Sequence, residues 1–499
     1  MHHNIFNYQK GRTMLWLLII FALCCVYIYL SIKMYPGDMP VYPGRVPILG
    51  NISLLLGDSI ALWHYIKKLT EYTYNNGHVS VVYAGIMPIY LITDPDDCYK
   101  VLTTCLERPG FANKFLKQLL GSNGLLTGPE AIWKQHRKLI NPAFNQQVVD
   151  SFMGIFNAQS RRLVETLKNH VGKGQFDHHD YLEKTALETI SLTMAGVDIS
   201  NQKEFNYKCL MAFRAVVDGV VARAKNPLYY FDNIYRTSKL KKIEDAHVKI
   251  THELTEQVLK KKREVYATED NNKECSEKKL KPFLHRLLDF SNTLLSDNDI
   301  KDEMNNIMFA GSQSSSAVLA YTLLILGTYP RILEKCQQEI REIFGESDRD
   351  VEKEDLTNLK YIDAVLKETM RQCPVAPFTG RLITEDIQLK NTVLRKGYPC
   401  AILLYGILNN PALWGKDASE FIPERWLEGR LPENSNALGA FGFGRRNCVA
   451  KVYAITTMKV SLVHILRRYK MTGNFFNMKL KNQVINKPAG GHEISIEFA

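Results

Sequence analysis

The sequence predicts a mainly α-helical fold with small β-sheets, in one large domain held behind a single N-terminal transmembrane helix. Three observations point there. Apolar residues recur at helical spacing over about 297–326, 361–372 and 449–469. Strand-like alternation is confined to short pieces at 79–93, 382–389 and 494–498. The run 14–32 (MLWLLIIFALCCVYIYLSI) is free of charge and close to the roughly 20 residues needed to cross about 30 Å of hydrocarbon.

Taken in order, residues 1–33 read as a membrane anchor. The apolar run is too long for a cleaved signal peptide and no small-x-small site follows it, and it is neither amphipathic nor arginine-rich as a mitochondrial presequence would be. Pro36, Pro40, Pro43, Pro47 and Gly50 make 34–50 a stiff, turn-rich hinge. Residues 51–499 then form one catalytic domain, since no internal repeat and no glycine/serine linker divides them. The charged stretch from Lys260 to Lys279 lacks periodicity and is expected as a solvated loop.

The ten cysteines lack pairing spacings and no Cys-x-x-Cys occurs, which argues for a reducing compartment and against a disulfide framework or a zinc site. A net charge of +11 suits an anionic membrane leaflet and an acidic protein partner. The basic residues are dispersed without interleaved aromatics, so nucleic acid is not an expected partner.

The most informative residue is Cys448. It follows the glycine-bracketed loop Phe441-Gly442-Phe443-Gly444-Arg445-Arg446-Asn447 and precedes a helical pattern containing Tyr453, Ile455, Met458, Val460, Leu462 and Leu466. A thiol at or just before a helix N-terminus meets backbone N–H groups and the positive end of the helix dipole, which favour the thiolate. The glycines allow backbone conformations that a Cβ forbids and a close approach to a flat ligand, and Arg446 offers that ligand a cation.

This loop resembles the haem-binding loop of the cytochrome P450 family, Phe-x-x-Gly-x-Arg-x-Cys, through Phe441, Gly444, Arg446 and Cys448; Ala450 stands where glycine is usual. The resemblance covers nearly the whole chain. It implies the P450 fold, non-covalent haem b with Cys448 as axial iron ligand, and electrons from NADPH through NADPH-cytochrome P450 reductase, with cytochrome b5 as a further donor. Lys134, Lys138, Arg445 and Lys451 are expected to dock the reductase. It also implies an endoplasmic reticulum membrane protein with the catalytic domain in the cytosol. Counting Lys10 and Arg12 against Lys33 argues for the opposite orientation. The cysteine usage favours the cytosolic side, where the sequon Asn51-Ile52-Ser53 goes unglycosylated.

Other positions match in family order. Glu368 and Arg371 share one helix face, and Arg425 in Pro423-Glu424-Arg425 supplies a second guanidinium, so the three resemble the family's structural triad. Trp133 and Arg137, in Trp-x-x-x-Arg, and Arg381 resemble haem-propionate partners. Leu408-Asn409 stands where the family often has His-Arg, which removes one polar contact to the haem edge.

The distal helix departs from the family. Ala310-Gly311-Ser312-Gln313-Ser314-Ser315 aligns with Ala/Gly-Gly-x-Asp/Glu-Thr-Thr/Ser, in which the glycine admits dioxygen and the acid and alcohol relay protons. Gln313 cannot titrate, whereas Ser314 can still hydrogen-bond a water or an oxygen ligand. Ala310 stands where many fatty-acid ω-hydroxylases carry a glutamate that esterifies haem, so covalent attachment is not expected. Three readings stay open: a monooxygenase, a haem-thiolate isomerase or dehydratase of peroxides or oxidised lipids, and a non-catalytic haem-binding protein. The segment around Trp133 to Phe144 resembles the ω-hydroxylase clan with its many insect members, which implies a small hydrophobic, lipid-like or foreign substrate. Residues 109–126 and 205–230 are expected to line its pocket.

Overall fold

The computed structural model describes residues 37–200, 202–270, 283–291 and 293–499, and eight positions between Leu15 and Tyr29. The expected transmembrane run 14–32 otherwise lies outside the described residues. Its described positions are helical, and Leu15, Trp16, Phe21, Val26, Ile28 and Tyr29 are exposed.

The helix that bears most directly on the site is Asp297–Thr328, here α9. Before it come α1 (Ser59–Asn75), α2 (Pro95–Thr104), α3 (Gly110–Leu120), α4 (Glu130–Ile140), α5 (Met153–Leu167), α6 (His179–Ile190), α7 (Lys203–Lys225) and α8 (Lys239–Asp270). After it come α10 (Pro330–Phe344), α11 (Lys360–Gln372), α12 (Leu404–Asn409) and α13 (Lys451–Arg468). Helix α9 starts where Ser296 and Asp299 form a reciprocal capping box, and Tyr329-Pro330 ends it. It is apolar and long enough to cross a membrane, yet most of it is buried in the protein. Polarity on all sides is low because protein surrounds it: α6 lies along it, and α4 is tied to it by the buried pair His136 Nδ1 and Glu303 Oε1, 2.8 Å apart.

Most buried apolar side chains form one core around α9, including Leu187 and Ile190 of α6, Phe213 of α7, Val365 of α11 and Val460 and Leu462 of α13. Each such side chain stabilises the fold by roughly 1.5–3 kcal/mol.

A four-stranded sheet flanks this core. Its strands are β1 (Val79–Ala84), β2 (Met87–Ile92), β3 (Thr379–Leu382) and β4 (Pro399–Ile402), in the order β1-β2-β4-β3. The hairpin β1/β2 turns at Gly85, whose φ of 64° suits glycine, and brings Val79 opposite Ile92. Strand β4 runs parallel to β2 and antiparallel to β3. From Pro40 to Asn51 the proline-rich segment is itself bound to β1: Tyr42 N–H donates to the Val81 carbonyl at 2.8 Å and Asn51 N–H to the Tyr83 carbonyl at 2.8 Å. Near the carboxy terminus lie β5 (Tyr469–Thr472), β6 (Lys479–Asn482), β7 (Asn486–Gly490) and β8 (Ser495–Phe498), paired as β5/β8 and β6/β7.

Two local expectations are corrected. The alternating stretch 382–389 is not one strand, because at Thr384 the chain leaves the sheet and its N–H turns to the Cys105 sulfur, 3.4 Å away. Lys260 to Arg263 are not loop but the continuation of α8; Lys262 is buried there and Arg263 is paired with Asp297 at 2.5 Å. Among the described residues all eight cysteines are free.

Candidate functional site

The cysteine loop is closed by its own backbone. Cys448 N–H donates to the Phe441 carbonyl at 3.0 Å, and Ala450 caps α13 just beyond. Gly442 and Gly444 have φ of 68° and 74°. A Cβ on Gly444 would stand 2.7 Å from the Leu102 carbonyl oxygen, so this glycine lets the loop close against α2 rather than against a ligand. Cys448 presents exposed surface although protein crowds it closely, so the space it faces is internal. Burial pushes its thiol up, against the opposing pull of the Ala450 N–H and the Arg137 and Lys451 charges. The helix N-terminus expected to ionise the sulfur is therefore outweighed within the protein alone.

Three guanidinium groups converge nearby, and among the described residues none of them forms an ion pair with a carboxylate, although Glu107 and Glu130 act on Arg446 from farther off. Arg381 donates to the Gly380 carbonyl at 2.7 Å and to Thr379 Oγ1 at 3.2 Å. Arg446 donates to the Gly128 carbonyl at 3.1 Å and lies 4.6 Å above the Trp133 ring. Nε of Arg108, Nε of Arg381, and Nε and Nη1 of Arg446 remain buried without partners. Burial, and then the positive charge of Arg108, pull both Arg381 and Arg446 down to about 9. Buried, mutually repelling donors of this kind are costly unless an anionic group satisfies them. Two carboxylates on a flat, apolar body, as haem b carries, fit this donor set.

Sequence reasoning missed Arg108; a lone arginine before Pro109 carries no signal of its own. It grouped Trp133 with Arg137, but the structure separates them. Trp133 underlies Arg446, whereas Arg137 donates to the carbonyl and side-chain oxygens of Asn447 at 2.7 and 3.0 Å, holding the residue beside Cys448.

The Glu368 carboxylate is completely buried and accepts five hydrogen bonds. Arg371 gives Nε and Nη2 at 2.9 Å each, Arg425 gives Nε at 3.0 Å, and the Ile422 N–H and Trp426 indole add donors at 3.0 and 2.9 Å. The two arginines were legible as a motif, the indole and the backbone donor were not. Asn409 spends its amide on the Arg371 carbonyl at 3.0 Å, which accounts for it without any haem contact.

On α9, Ala310, Gly311 and Ser314 are partly exposed in a stretch of the helix that is otherwise buried, whereas Gln313 is 1% exposed and turned away toward α6. Ala310 and Ser314 stand one turn apart, and the Ser314 hydroxyl donates to the Ala310 carbonyl at 2.9 Å. A Cβ on Gly311 would meet Ile190 Cδ1 at 2.7 Å. Its missing side chain thus admits α6. The expected pocket segments lie on α3 and α7, where Phe115, Leu119, Leu120, Phe213, Val216 and Val217 are buried.

Fold and site define a helical protein built to hold a planar dicarboxylate beside a cysteine. Comparison with known proteins says which. A family model described as Cytochrome P450 matches residues 40–492. The chain is 31% identical to "Cytochrome P450 4V2" of Mus musculus, over 88% of this chain and 85% of that protein. It is also 31% identical to "Cytochrome P450 4c21" of Blattella germanica, over 83% and 85% of the two, and 28% identical to "Probable cytochrome P450 313a2" of Drosophila melanogaster, over 94% of each. The chain belongs to the cytochrome P450 family and is a haem-dependent monooxygenase of that family.

Proposed function

We propose that this monooxygenase inserts oxygen into a small hydrophobic, lipid-like or foreign substrate, drawing electrons from NADPH through a flavoprotein reductase, with cytochrome b5 as a second donor. Residues 1–33 anchor it in the endoplasmic reticulum membrane, 34–50 form the hinge, and 51–499 the cytosolic catalytic domain. The observation that carries the site assignment is the set of unpartnered buried guanidinium atoms beside the Cys448 loop.

Haem b, when bound, supplies an iron at which dioxygen is activated. Cys448 would supply the sulfur that holds it, in a loop fixed by Phe441 and Gly444 and clamped through Asn447 by Arg137. Arg108, Arg381 and Arg446 take the carboxylates and Trp133 supports Arg446. Glu368, Arg371 and Arg425 hold the segment leading to that loop. Ala310 has no carboxyl to esterify, so haem stays non-covalent. Ser314 offers a hydroxyl at the open face of α9 that can orient water. Lys134, Lys138, Arg445 and Lys451 are all exposed, and form the basic surface for the reductase.

The test of the iron ligand is spectroscopic. Reduced protein under carbon monoxide should show the far-red-shifted Soret band of thiolate ligation, and Cys448→Ser should abolish it; a band that persists in the variant removes Cys448 as ligand. Reductase-dependent NADPH consumption over a panel of fatty acids and apolar foreign compounds then tests the electron source and the substrate class together.

A further inference from the structure

The Gln313 side chain is held at both ends by charge. Its Nε2 donates to Glu183 Oε1 on α6, and its Oε1 accepts from Lys487 Nζ on β7. Lys487 Nζ also lies 3.5 Å from Glu183 Oε1. The other carboxylate oxygen, Glu183 Oε2, accepts from Arg214 Nε of α7 at 2.8 Å and from its Nη2. Arg214 Nη2 then reaches Asp180 Oδ1 at 2.5 Å. Side-chain exposure rises along this path, from 0% at Glu183 and 5% at Lys487 to 29% at Arg214 and 45% at Asp180. An unbroken line of hydrogen bonds and ion pairs therefore joins the residue next to Ser314 to solvent.

The charges in this line cancel: two carboxylates face one ammonium and one guanidinium. His179 on α6 and Lys481 on β6 are the other titratable groups that act on the pair. Burial alone would raise the Glu183 carboxyl, but the charges of Lys487 and Arg214 hold it below its ordinary value. A second carboxylate at position 313 would confront Glu183 across the same ammonium, and two such groups cannot both ionise freely in a buried site. An amide at 313 and an acid at 183 are thus alternatives to an acid at 313.

We propose that Glu183 takes the part of the acid that position 313 lacks, placed on α6 instead of α9, and that it serves as a positioning residue, fixing with Lys487 the side chain of Gln313, the residue that precedes Ser314, at the inner end of a polar line from solvent. This rests on the reading of Ser314 as the hydroxyl that orients water.

An exchange of the two side chains tests it in the full-length holoenzyme. Glu183→Gln should raise peroxide leakage per NADPH consumed by about tenfold, less than the roughly 10²–10⁴ that a proton donor in direct contact contributes because Glu183 acts through Gln313, and should shift the pH profile of coupling. Gln313→Glu alone should lower the melting temperature above the pH at which two adjacent carboxyls must both ionise, and the loss should fade on acidification. The double variant, Glu183→Gln with Gln313→Glu, restores one acid and one amide, so it should recover melting temperature and coupling toward wild type. Should Glu183→Gln fail to fold, Glu183→Asp and Gln313→Glu, alone and together with Glu183→Gln, make the same comparison. Additive melting shifts for 183 and 313, or a double variant that leaks as much as Glu183→Gln, overturn the proposal. Ser314→Ala separates it from the reading beneath: if that variant leaks and the Glu183 variants do not, only the placement of the acid is wrong; if Ser314→Ala leaves coupling unchanged, the Ser314 reading itself falls and takes the proposal with it.

Discussion

Glu368 shows how a buried charge is made tolerable at one residue. A carboxylate out of water demands partners for its lone pairs, and five donors meet it, two of them from a guanidinium fork. Arg425→Met should therefore cost about 3–5 kcal/mol, because the remaining partners cannot replace a buried cation. Trp426→Phe keeps the ring but removes the donor at 2.9 Å on Glu368 Oε2, and should cost about 1.5–3 kcal/mol, the value of a hydrogen bond to a charged group. Chemical denaturation of the two variants checks both, and a Trp426→Phe protein as stable as wild type would show that the indole bond is dispensable. The spacing of Glu368 and Arg371 made this site legible in the sequence. Trp426 was not, since an indole just beyond a motif looks like any core aromatic.

At the scale of elements, the contact between α6 and α9 depends on Gly311. Its Cβ would stand 2.7 Å from Ile190 Cδ1 and 2.9 Å from Cγ1, too close without a shift of one helix or a strained rotamer. Gly311→Ala should destabilise by about 1–3 kcal/mol. Ile190→Ala made in the same chain should return most of that loss relative to Ile190→Ala alone. Melting temperatures of the four proteins give the coupling; additive losses would mean that the helices do not meet at this pair. Period 3.6 exposed the helices α9, α11 and α13 in the sequence, but no pattern within one helix tells which neighbour it will touch. For that reason the approach of Ile190 to Gly311 and the Gln313 contacts with Glu183 and Lys487, which bring together residues distant in sequence, were invisible.

The whole molecule carries several histidines that folding keeps neutral. Burial brings His178 down to about 4 and His179 to about 3; His464, lowered first by burial and then by Arg161 and Arg467, also lies at about 4. Each folded value is below the unfolded one near 6.5, so below that pH the unfolded chain takes up protons that the folded protein refuses. Stability should fall between about pH 6.5 and pH 4, by up to about 1.4 kcal/mol per pH unit for each histidine. His464 Nε2 lies 2.8 Å from Asn157 Oδ1, which a glutamine amide can also serve. His464→Gln should therefore flatten the acid limb of the melting curve while leaving pH 7.5 stability within about 1 kcal/mol; an unchanged acid limb would assign the slope elsewhere. Helical periodicity foretold the mainly helical fold, whereas charge runs misled at Lys260 to Arg263, because a helix can bury the stem of a lysine that the sequence shows only as charge.

Asn51 has a consequence for how the chain is made. It is 2% exposed; its side-chain oxygen accepts from the Tyr83 N–H at 2.9 Å and its amide donates to the Tyr42 and Pro43 carbonyls. Yet it opens the sequon Asn51-Ile52-Ser53, and its partner Tyr83 is synthesised 32 residues later. A chain threaded the wrong way, into a compartment with oligosaccharyl transferase, would present that asparagine before β1 exists to claim it. The sugar, once attached, has no room in the finished sheet. Misinserted copies would then be barred from folding by their own modification, and one buried amide would act as a proofreader of topology.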